Sequence, residues 1–217
     1  MNRICYIVGA GEDCGLDFAP QSADLVIAAD GGYRKLLDAG IRPHVVIGDF
    51  DSLGAAPEEE QVITLPTVKD VTDTWAAIDY GLERGFEKFY LYGCTGGRIE
   101  HTLANIQTAA ALAERGKCCL IFGKTQIITA ISSETVIFSE SCTGFLSVFS
   151  YTDICEGVSL QGLKYELENA QLTNRFPLGV SNEFIGQKAT VTIGSGIAVL
   201  VYDRKNLQTI DKPAFMN

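Results

Sequence analysis

Short apolar runs and amphipathic segments alternate along the first half of the chain. Each apolar run is bounded by glycine, proline or acidic residues, and the segments between the runs carry apolar residues at helical spacing. This alternation predicts an α/β domain, a mostly parallel sheet with helices on both faces. Strands are expected near residues 3–9, 24–29, 43–48, 61–65, 86–92 and 117–122, and the clearest helices after Asp30, Thr72 and Gly97.

From about residue 125 the pattern changes to short β-rich segments separated by glycine-containing turns. This pattern predicts a C-terminal antiparallel β-sandwich. Its strands are expected near residues 126–131, 135–138, 144–149, 157–161, 189–193 and 197–202. The polar stretch 178–183 is predicted to be a loop, because Gly, Ser and Asn are typical turn residues. We therefore expect two domains, residues 1–124 and 125–217.

Acidic residues stand at the ends of three successive predicted strands. Asp30 follows the second strand, and Asp49 and Asp51 follow the third. Lys69 and Asp73 follow the fourth. The carboxyl ends of parallel strands share one edge of the sheet, where ligands bind, and Mg²⁺ prefers carboxylate and phosphate oxygens. As a set these residues favour a magnesium–phosphate site, although any single one could instead be a turn or helix-capping residue.

A glycine-rich stretch, residues 93–97, leads into the third predicted helix. A loop of this kind offers backbone N–H groups and the positive end of a helix dipole to a phosphate. Helical spacing places Arg98, His101 and Asn105 on one face, which is either part of this site or a solvated polar face. A second face is predicted to be buried and consists of Ile99, Leu103, Ile106 and Ala110.

Two glycine motifs bear on the class of nucleotide site. Residues 9–11 (Gly-Ala-Gly) follow the first strand, but the third glycine of a dinucleotide fingerprint is missing at the required spacing. We interpret them as a plain turn. A Walker A motif is absent from the whole sequence.

Composition narrows the class of protein further. The seven cysteines are odd in number and form no C-x-x-C pair, which favours a cytoplasmic protein without disulfides or structural zinc. The net charge of −10 argues against a nucleic-acid partner and suits a cationic small ligand. No apolar stretch is long enough to span a membrane.

Six short motifs, in order along nearly the whole chain, resemble those of bacterial thiamine pyrophosphokinases (thiamine diphosphokinases). They are D-G-G at 30–32, G-D-F-D-S at 48–52, K-D-V-T-D at 69–73, G-G-R-I-E-H at 96–101 with Asn105, G-L-K-Y at 162–165 and V-S-N-E at 180–183. Each motif is weak alone, but the ordered set is specific. Glu100 departs from the family, which usually has Asp there. Ala76 stands where eukaryotic relatives carry a lysine, and bacterial members have the earlier lysine, here Lys69.

The resemblance implies that ATP and thiamine react to give AMP and thiamine diphosphate, in a homodimer with active sites at the subunit interface. Catalysis and Mg²⁺ binding are then assigned to Asp49, Asp51 and Asp73. Asp73 is also assigned to bind or deprotonate the thiamine hydroxyl, and Lys69 and Arg98 are assigned to neutralise charge on the phosphates. Nucleotide contacts are assigned to Asp30, Gly31, Glu100, His101 and Asn105. Thiamine contacts are assigned to Ser181 and Asn182.

Three other functions fit part of the pattern. A pyrophosphokinase for another primary alcohol, such as a hydroxymethylpterin, would use the same N-terminal motifs. A Mg²⁺-dependent phosphohydrolase would also use paired aspartates. A nucleotide-binding module without catalytic activity would bind Mg-ATP and form no AMP. Ser181 and Asn182 in the second domain favour thiamine over the pterin alcohol. The full set of acids together with Lys69 argues against the binding module, which need not retain them all.

Overall fold

The computed structural model describes residues 3–48, 61–64 and 71–209. The chain forms two compact units. The first comprises Met1–Asn105 and Ile121–Lys124, and the second comprises Ile106–Leu120 and Thr125–Asn217. Among the described residues, none of the helices combines the length and the apolar character needed to cross a lipid bilayer.

The first unit is built on a parallel sheet. Its elements are β1 (Cys5–Val8), β2 (Leu25–Ala29), α1 (Gly32–Asp38), β3 (Val45–Gly48), β4 (Val62–Thr64), α2 (Asp73–Glu83) and β5 (Lys88–Tyr92). Two further elements are divided between the units, namely α3 (Ile99–Glu114) and β6 (Cys118–Phe122). The strand order β5-β1-β2-β3-β4 is parallel throughout, so the carboxyl ends of these strands lie along one edge.

Two glycines allow the helices of the first unit to pack closely on the sheet. A Cβ on Gly32, at the start of α1, would overlap the carbonyl group of Val8 at the end of β1. A Cβ on Gly81, in α2, would lie 2.8 Å from the Phe89 ring and 3.0 Å from Cys5 Sγ. Any larger residue would push these helices away from the sheet.

The second unit is an antiparallel sandwich. Its strands are β7 (Gln126–Ser132), β8 (Thr135–Phe138), β9 (Phe145–Ser150), β10 (Ile154–Gln161), β11 (Leu167–Thr173), β12 (Gly179–Glu183), β13 (Ala189–Thr192) and β14 (Ile197–Asp203), followed by a 3₁₀ helix, Arg204–Thr209. They form the strand orders β12-β9-β14-β7 and β11-β10-β13-β8. The buried ring of Phe138 packs 5.2 Å from Phe184 and 5.4 Å from Tyr202, which joins the two layers. The predicted fold class is confirmed.

Two assignments made from the sequence are wrong, and strand β11 was not predicted. Residues 178–183 are not a loop, because 179–183 form strand β12. The pairing register of this strand shifts between Gly179 and Asn182, and Ser181 has a φ of 56°. Such an irregular strand does not require the regular alternation of buried and exposed positions by which a strand is recognised in a sequence. The buried stripe predicted on α3 also fails in its first half, since Ile99 and Leu103 are 68% and 56% exposed.

Candidate nucleotide site

A cavity of about 750 Å³ lies in the first unit at the carboxyl edge of the parallel sheet. Residues that follow three neighbouring strands line it, together with the starts of α2 and α3. They are residues 9–12 after β1, Ala29 and Asp30 at the end of β2, 93–97 after β5, 72–74, Arg98, His101 and Asn105. The structure thus brings together five of the predicted site residues, namely Asp30, Asp73, Arg98, His101 and Asn105.

Backbone hydrogen bonds join the loops after β1 and β5 across the cavity floor. The N–H groups of Gly9, Gly11 and Glu12 donate to the carbonyl oxygens of residues 92, 93 and 95 at 2.7–2.8 Å. These three donors are therefore already used. A bound phosphate must find its partners elsewhere, at the glycine-rich turn before α3 or among side chains.

Asp30 occupies a strained turn at the end of β2. Its φ of 48° lies in the left-handed region, which Asp tolerates better than most residues. Its N–H donates to Ile47 O at 2.8 Å, and this bond holds the turn against the end of β3. Strained backbone of this kind concentrates at functional sites. Gly31 lies next to it as the N-cap of α1 and is not among the residues that line the cavity.

Thr72, rather than Asp73, caps helix α2. The Thr72 Oγ1 accepts a hydrogen bond from the Trp75 N–H at 3.1 Å, so the capping role is filled. Asp73 is the first helical residue and lines the cavity. The helix dipole favours a negative charge at this position. This arrangement places a carboxylate at the cavity wall without requiring it as a cap.

Asn105 anchors the glycine-rich loop to α3. The side chain is 5% exposed, and its Nδ2 donates to Cys94 O at 2.7 Å. Burial is the main cause that raises the pKa of the Cys94 thiol, to about 12. At neutral pH this thiol is protonated and is not a nucleophile. Cys94 is therefore not a candidate nucleophile in this cavity.

Arg98 and Glu100 form an ion pair at the start of α3. The Arg98 Nε donates to Glu100 Oε1 at 2.7 Å, and both side chains are largely exposed. A hydrogen bond involving its own backbone, and then the bond from Arg98, lower the pKa of Glu100. Exposed pairs of this kind contribute little to stability. Arg98 can therefore exchange this carboxylate for a phosphate at small cost.

Ser181 and Asn182 lie in the second unit and differ sharply in exposure. Asn182 is 3% exposed, and its amide bonds to the backbone of Tyr165, donating to Tyr165 O at 2.7 Å and accepting from Tyr165 N at 2.9 Å. Its Oδ1 also accepts from Glu183 N at 2.9 Å. Ser181 is exposed, and its N–H donates to Ser147 Oγ at 3.0 Å. The Ser181 side chain is thus the more accessible of the two.

Three predicted residues, Asp49, Asp51 and Lys69, lie outside the described residues. Within 3–48, 61–64 and 71–209, no three His, Cys, Asp or Glu side chains converge as a metal cluster. Asp30 and Asp73 nevertheless supply carboxylate oxygens to one cavity. This donor chemistry fits Mg²⁺, which commonly takes one or two carboxylates plus substrate phosphates.

Sequence reasoning missed two features of the cavity. The loop at residues 9–12, interpreted as a plain turn, lines it and contributes the carboxylate of Glu12. Its position directly after the first parallel strand was the available signal. Thr74 was also missed, and it lines the cavity next to Asp73.

An acid-lined cavity at the carboxyl edge of a parallel sheet, with a glycine turn opening a helix, defines a phosphate- or nucleotide-binding α/β unit, here followed by a β-sandwich. Comparison with known proteins agrees with this class. Residues 19–121 match the family described as "Thiamin pyrophosphokinase, catalytic domain", and residues 134–198 match "Thiamin pyrophosphokinase, vitamin B1 binding domain".

Individual relatives cover most of the chain. The thiamine pyrophosphokinase of Bacillus subtilis is 31% identical over 184 residues, which are 82% of this chain and 86% of that protein. A crystal structure of thiamine pyrophosphokinase from Bacillus subtilis superposes with a TM-score of 0.80 at 28% identity, covering 92% of this chain and 98% of the other. The enzyme structure from Geobacillus thermodenitrificans also gives 0.80, at 27% identity, covering 92% and 97%. The chain belongs to the thiamine pyrophosphokinase family, and the resemblance found in the sequence is confirmed.

Proposed function

We propose that this chain transfers the pyrophosphoryl group of ATP to the hydroxyl of thiamine, giving thiamine diphosphate and AMP. The observation that carries the proposal is the pair of family matches, catalytic and vitamin B1-binding, in order along one chain. The cavity in the first unit supports it, because its shape, glycine turns and charged side chains suit a nucleotide.

The chemistry requires no protein nucleophile. The thiamine hydroxyl oxygen forms a bond to the β-phosphorus of ATP, the bond from that phosphorus to the bridging oxygen of the α-phosphate breaks, and AMP leaves with the electron pair. The hydroxyl proton passes to a base, for which we propose the Asp73 carboxylate at the cavity wall. Catalysis then consists mainly of positioning and charge neutralisation.

Each remaining residue has a proposed role on the nucleotide side. Lys69 and Arg98 neutralise charge on the transferred and leaving phosphates. The nucleotide contacts are Asp30, Gly31, Glu100, His101 and Asn105. Asp30, His101 and Asn105 line the same cavity as Asp73, which supports their grouping.

We also propose a Mg²⁺ site formed by Asp49, Asp51 and Asp73, with Asp30 nearby. A bound Mg²⁺ would supply charge neutralisation across the phosphates of ATP. The carboxylates of Asp73 and Asp30, which line the same cavity, would help to hold such an ion.

For thiamine, the two predicted contacts receive different proposed roles. Ser181 is exposed and supplies a direct hydrogen bond to the pyrimidine. Asn182 is buried and acts by fixing the backbone of Tyr165, a residue that is 59% exposed. The thiazolium cation would be attracted by the acidic protein.

We propose a homodimer with active sites at the subunit interface. Edge strand β12 exposes Val180, and the residues just before it expose Phe176 and Leu178, at 43%, 66% and 52%. In the first unit, Ile99 and Leu103 are also exposed beside the cavity-lining residues of α3. Clustered apolar side chains next to an open strand edge mark interfaces.

We further propose a cytoplasmic location, because all seven cysteines are free thiols rather than disulfides.

The test is a panel of acceptors. Mg-ATP is incubated with thiamine, with a hydroxymethylpterin or without acceptor, and AMP and phosphate are measured. AMP formation with thiamine alone supports the proposal. AMP formation with the pterin would identify another alcohol pyrophosphokinase, phosphate release without acceptor would identify a phosphohydrolase, and ATP binding without turnover would identify a binding module.

Asp73→Asn tests the catalytic assignment within the same assay. Loss of the base should lower kcat at least about a hundredfold, the low end of general-base catalysis. Asp79→Asn is the matched control, because Asp79 lies on the same helix and is not among the residues lining the cavity. Equal kcat values for the two variants would contradict the role of Asp73.

A further inference from the structure

Lys35 of helix α1 reaches the glycine loops of the nucleotide cavity. Its Nζ donates a hydrogen bond to the carbonyl oxygen of Gly11, in the loop after β1. The same atom lies beside the loop after β5, since a Cβ on Gly93 would be 2.9 Å from it. One ammonium group therefore contacts or adjoins two of the loops that line the cavity, although Lys35 itself is not among the lining residues.

The charges of the described cavity call for such a cation. Glu12, Asp30 and Asp73 contribute three carboxylates to its lining, whereas Arg98 is the one guanidinium there and already pairs with Glu100. A triphosphate carries several negative charges and would be repelled by an acidic wall. Among the residues that the structure describes, no carboxylate lies within ion-pair distance of Lys35.

The hydrogen-bond donors near the cavity also indicate a role for Lys35. The N–H groups of Gly9, Gly11 and Glu12 are consumed by hydrogen bonds to the neighbouring loop. The ammonium of Lys35 has three N–H donors, of which the Gly11 carbonyl uses one. Two N–H donors and the positive charge of Lys35 therefore remain beside a loop whose N–H groups at Gly9, Gly11 and Glu12 are already used.

We propose that Lys35 is a positioning residue for the polyphosphate chain of ATP. It fixes the loop at residues 9–11 from the side of α1, and its positive charge offsets the carboxylates of the cavity. This inference deepens the proposed function and rests on it for the identity of the nucleotide. It assigns the recognition of an extended phosphate chain, rather than of a nucleoside, to Lys35, which lies on α1 but is not part of any motif recognised in the sequence.

The test compares ATP with AMP as ligands of the whole protein, by calorimetry in the absence of thiamine. Lys35→Met removes the charge and keeps the aliphatic stem, and Lys35→Arg keeps the charge. Arg34→Met is the matched control, because Arg34 is the adjacent exposed cation on the same helix. Lys35→Met should weaken ATP binding about fivefold to tenfold, the size of one charge-assisted contact, and AMP binding less than about twofold. Lys35→Arg should retain ATP affinity within about threefold, and Arg34→Met should match the wild type.

Two results would overturn the proposal. One is an unchanged ATP affinity in folded Lys35→Met. The other is an equal loss of ATP and AMP affinity that Lys35→Arg does not rescue, which would indicate a purely structural tie. If Lys35→Met does not fold, Lys35→Gln, which keeps an N–H donor for Gly11, is judged by the same two criteria. Because thiamine is absent, a failure of thiamine-dependent AMP formation would count against the proposed function and leave this result standing.

Discussion

Replacing Asn105 by Ala tests whether the cavity depends on the link between α3 and the glycine-rich loop. The substitution leaves the buried carbonyl of Cys94 without the donor that now lies 2.7 Å away. A buried polar group left without a partner costs about 1–3 kcal/mol. At about 2–4 °C per kcal/mol for a chain of this size, the thermal midpoint should fall by roughly 2–12 °C.

The assay combines calorimetric melting with steady-state kinetics. Loosening the loop should raise the KM for ATP more than the KM for thiamine, because residues 93–97 line the nucleotide cavity. Asn105→Asp keeps the volume but presents an acceptor to an acceptor, so it should be at least as destabilising as Ala. Gln107→Ala is the control, since Gln107 is exposed on the same helix and should change stability by less than about 0.5 kcal/mol. A midpoint for Asn105→Ala equal to that of Gln107→Ala would refute the reasoning.

Three further predictions concern charge and assembly. Glu100→Gln should raise the KM for ATP up to about fivefold, because it removes a proposed nucleotide contact, whereas a lowered KM would mean that Glu100 acts mainly by pairing with Arg98. Burial raises the pKa of Glu134 to about 7 from its ordinary 4.5, so the folded state holds the proton to higher pH and stability falls as pH rises from 4.5 to 7. Glu134→Gln should therefore be more stable than the wild type at pH 8, with a free energy of unfolding about 1–2 kcal/mol higher after allowing for solvent access. The melting temperatures of the two proteins should converge near pH 4.5. Val180→Lys should yield monomers in analytical ultracentrifugation, while Ile154→Lys, at an exposed apolar position of the other sheet, should not, and an unchanged mass for Val180→Lys would exclude that edge.

The fold was predictable from the sequence where an element is buried uniformly, because its residues are then almost all apolar. Central strands such as β1 and β2 are fully buried, so their apolar runs stand out. Strands β11 and β12 were missed, and both are edge strands. An edge strand has one neighbour and one open side, so its polar sequence resembles that of a loop.

The site was predictable to the extent that its residues follow strand ends or open helices, as Asp30, Asp73 and Arg98 do. The contribution of residues 9–12 depends on β1 lying beside β5, which is a long-range pairing that local sequence does not encode. The buried amide of Asn182 likewise depends on its contact with Tyr165, 17 residues away. The contact between Lys35 and the loop after β1 follows from the packing of α1 against the sheet, and no local sequence pattern indicates it.

The most direct test of the account is a product balance for Mg-ATP with thiamine, separated by chromatography. The account predicts AMP and thiamine diphosphate in equal molar amounts from the first time point, without ADP or thiamine monophosphate as intermediates. Formation of ADP together with thiamine monophosphate would show transfer of a single phosphoryl group and would contradict attack at the β-phosphorus.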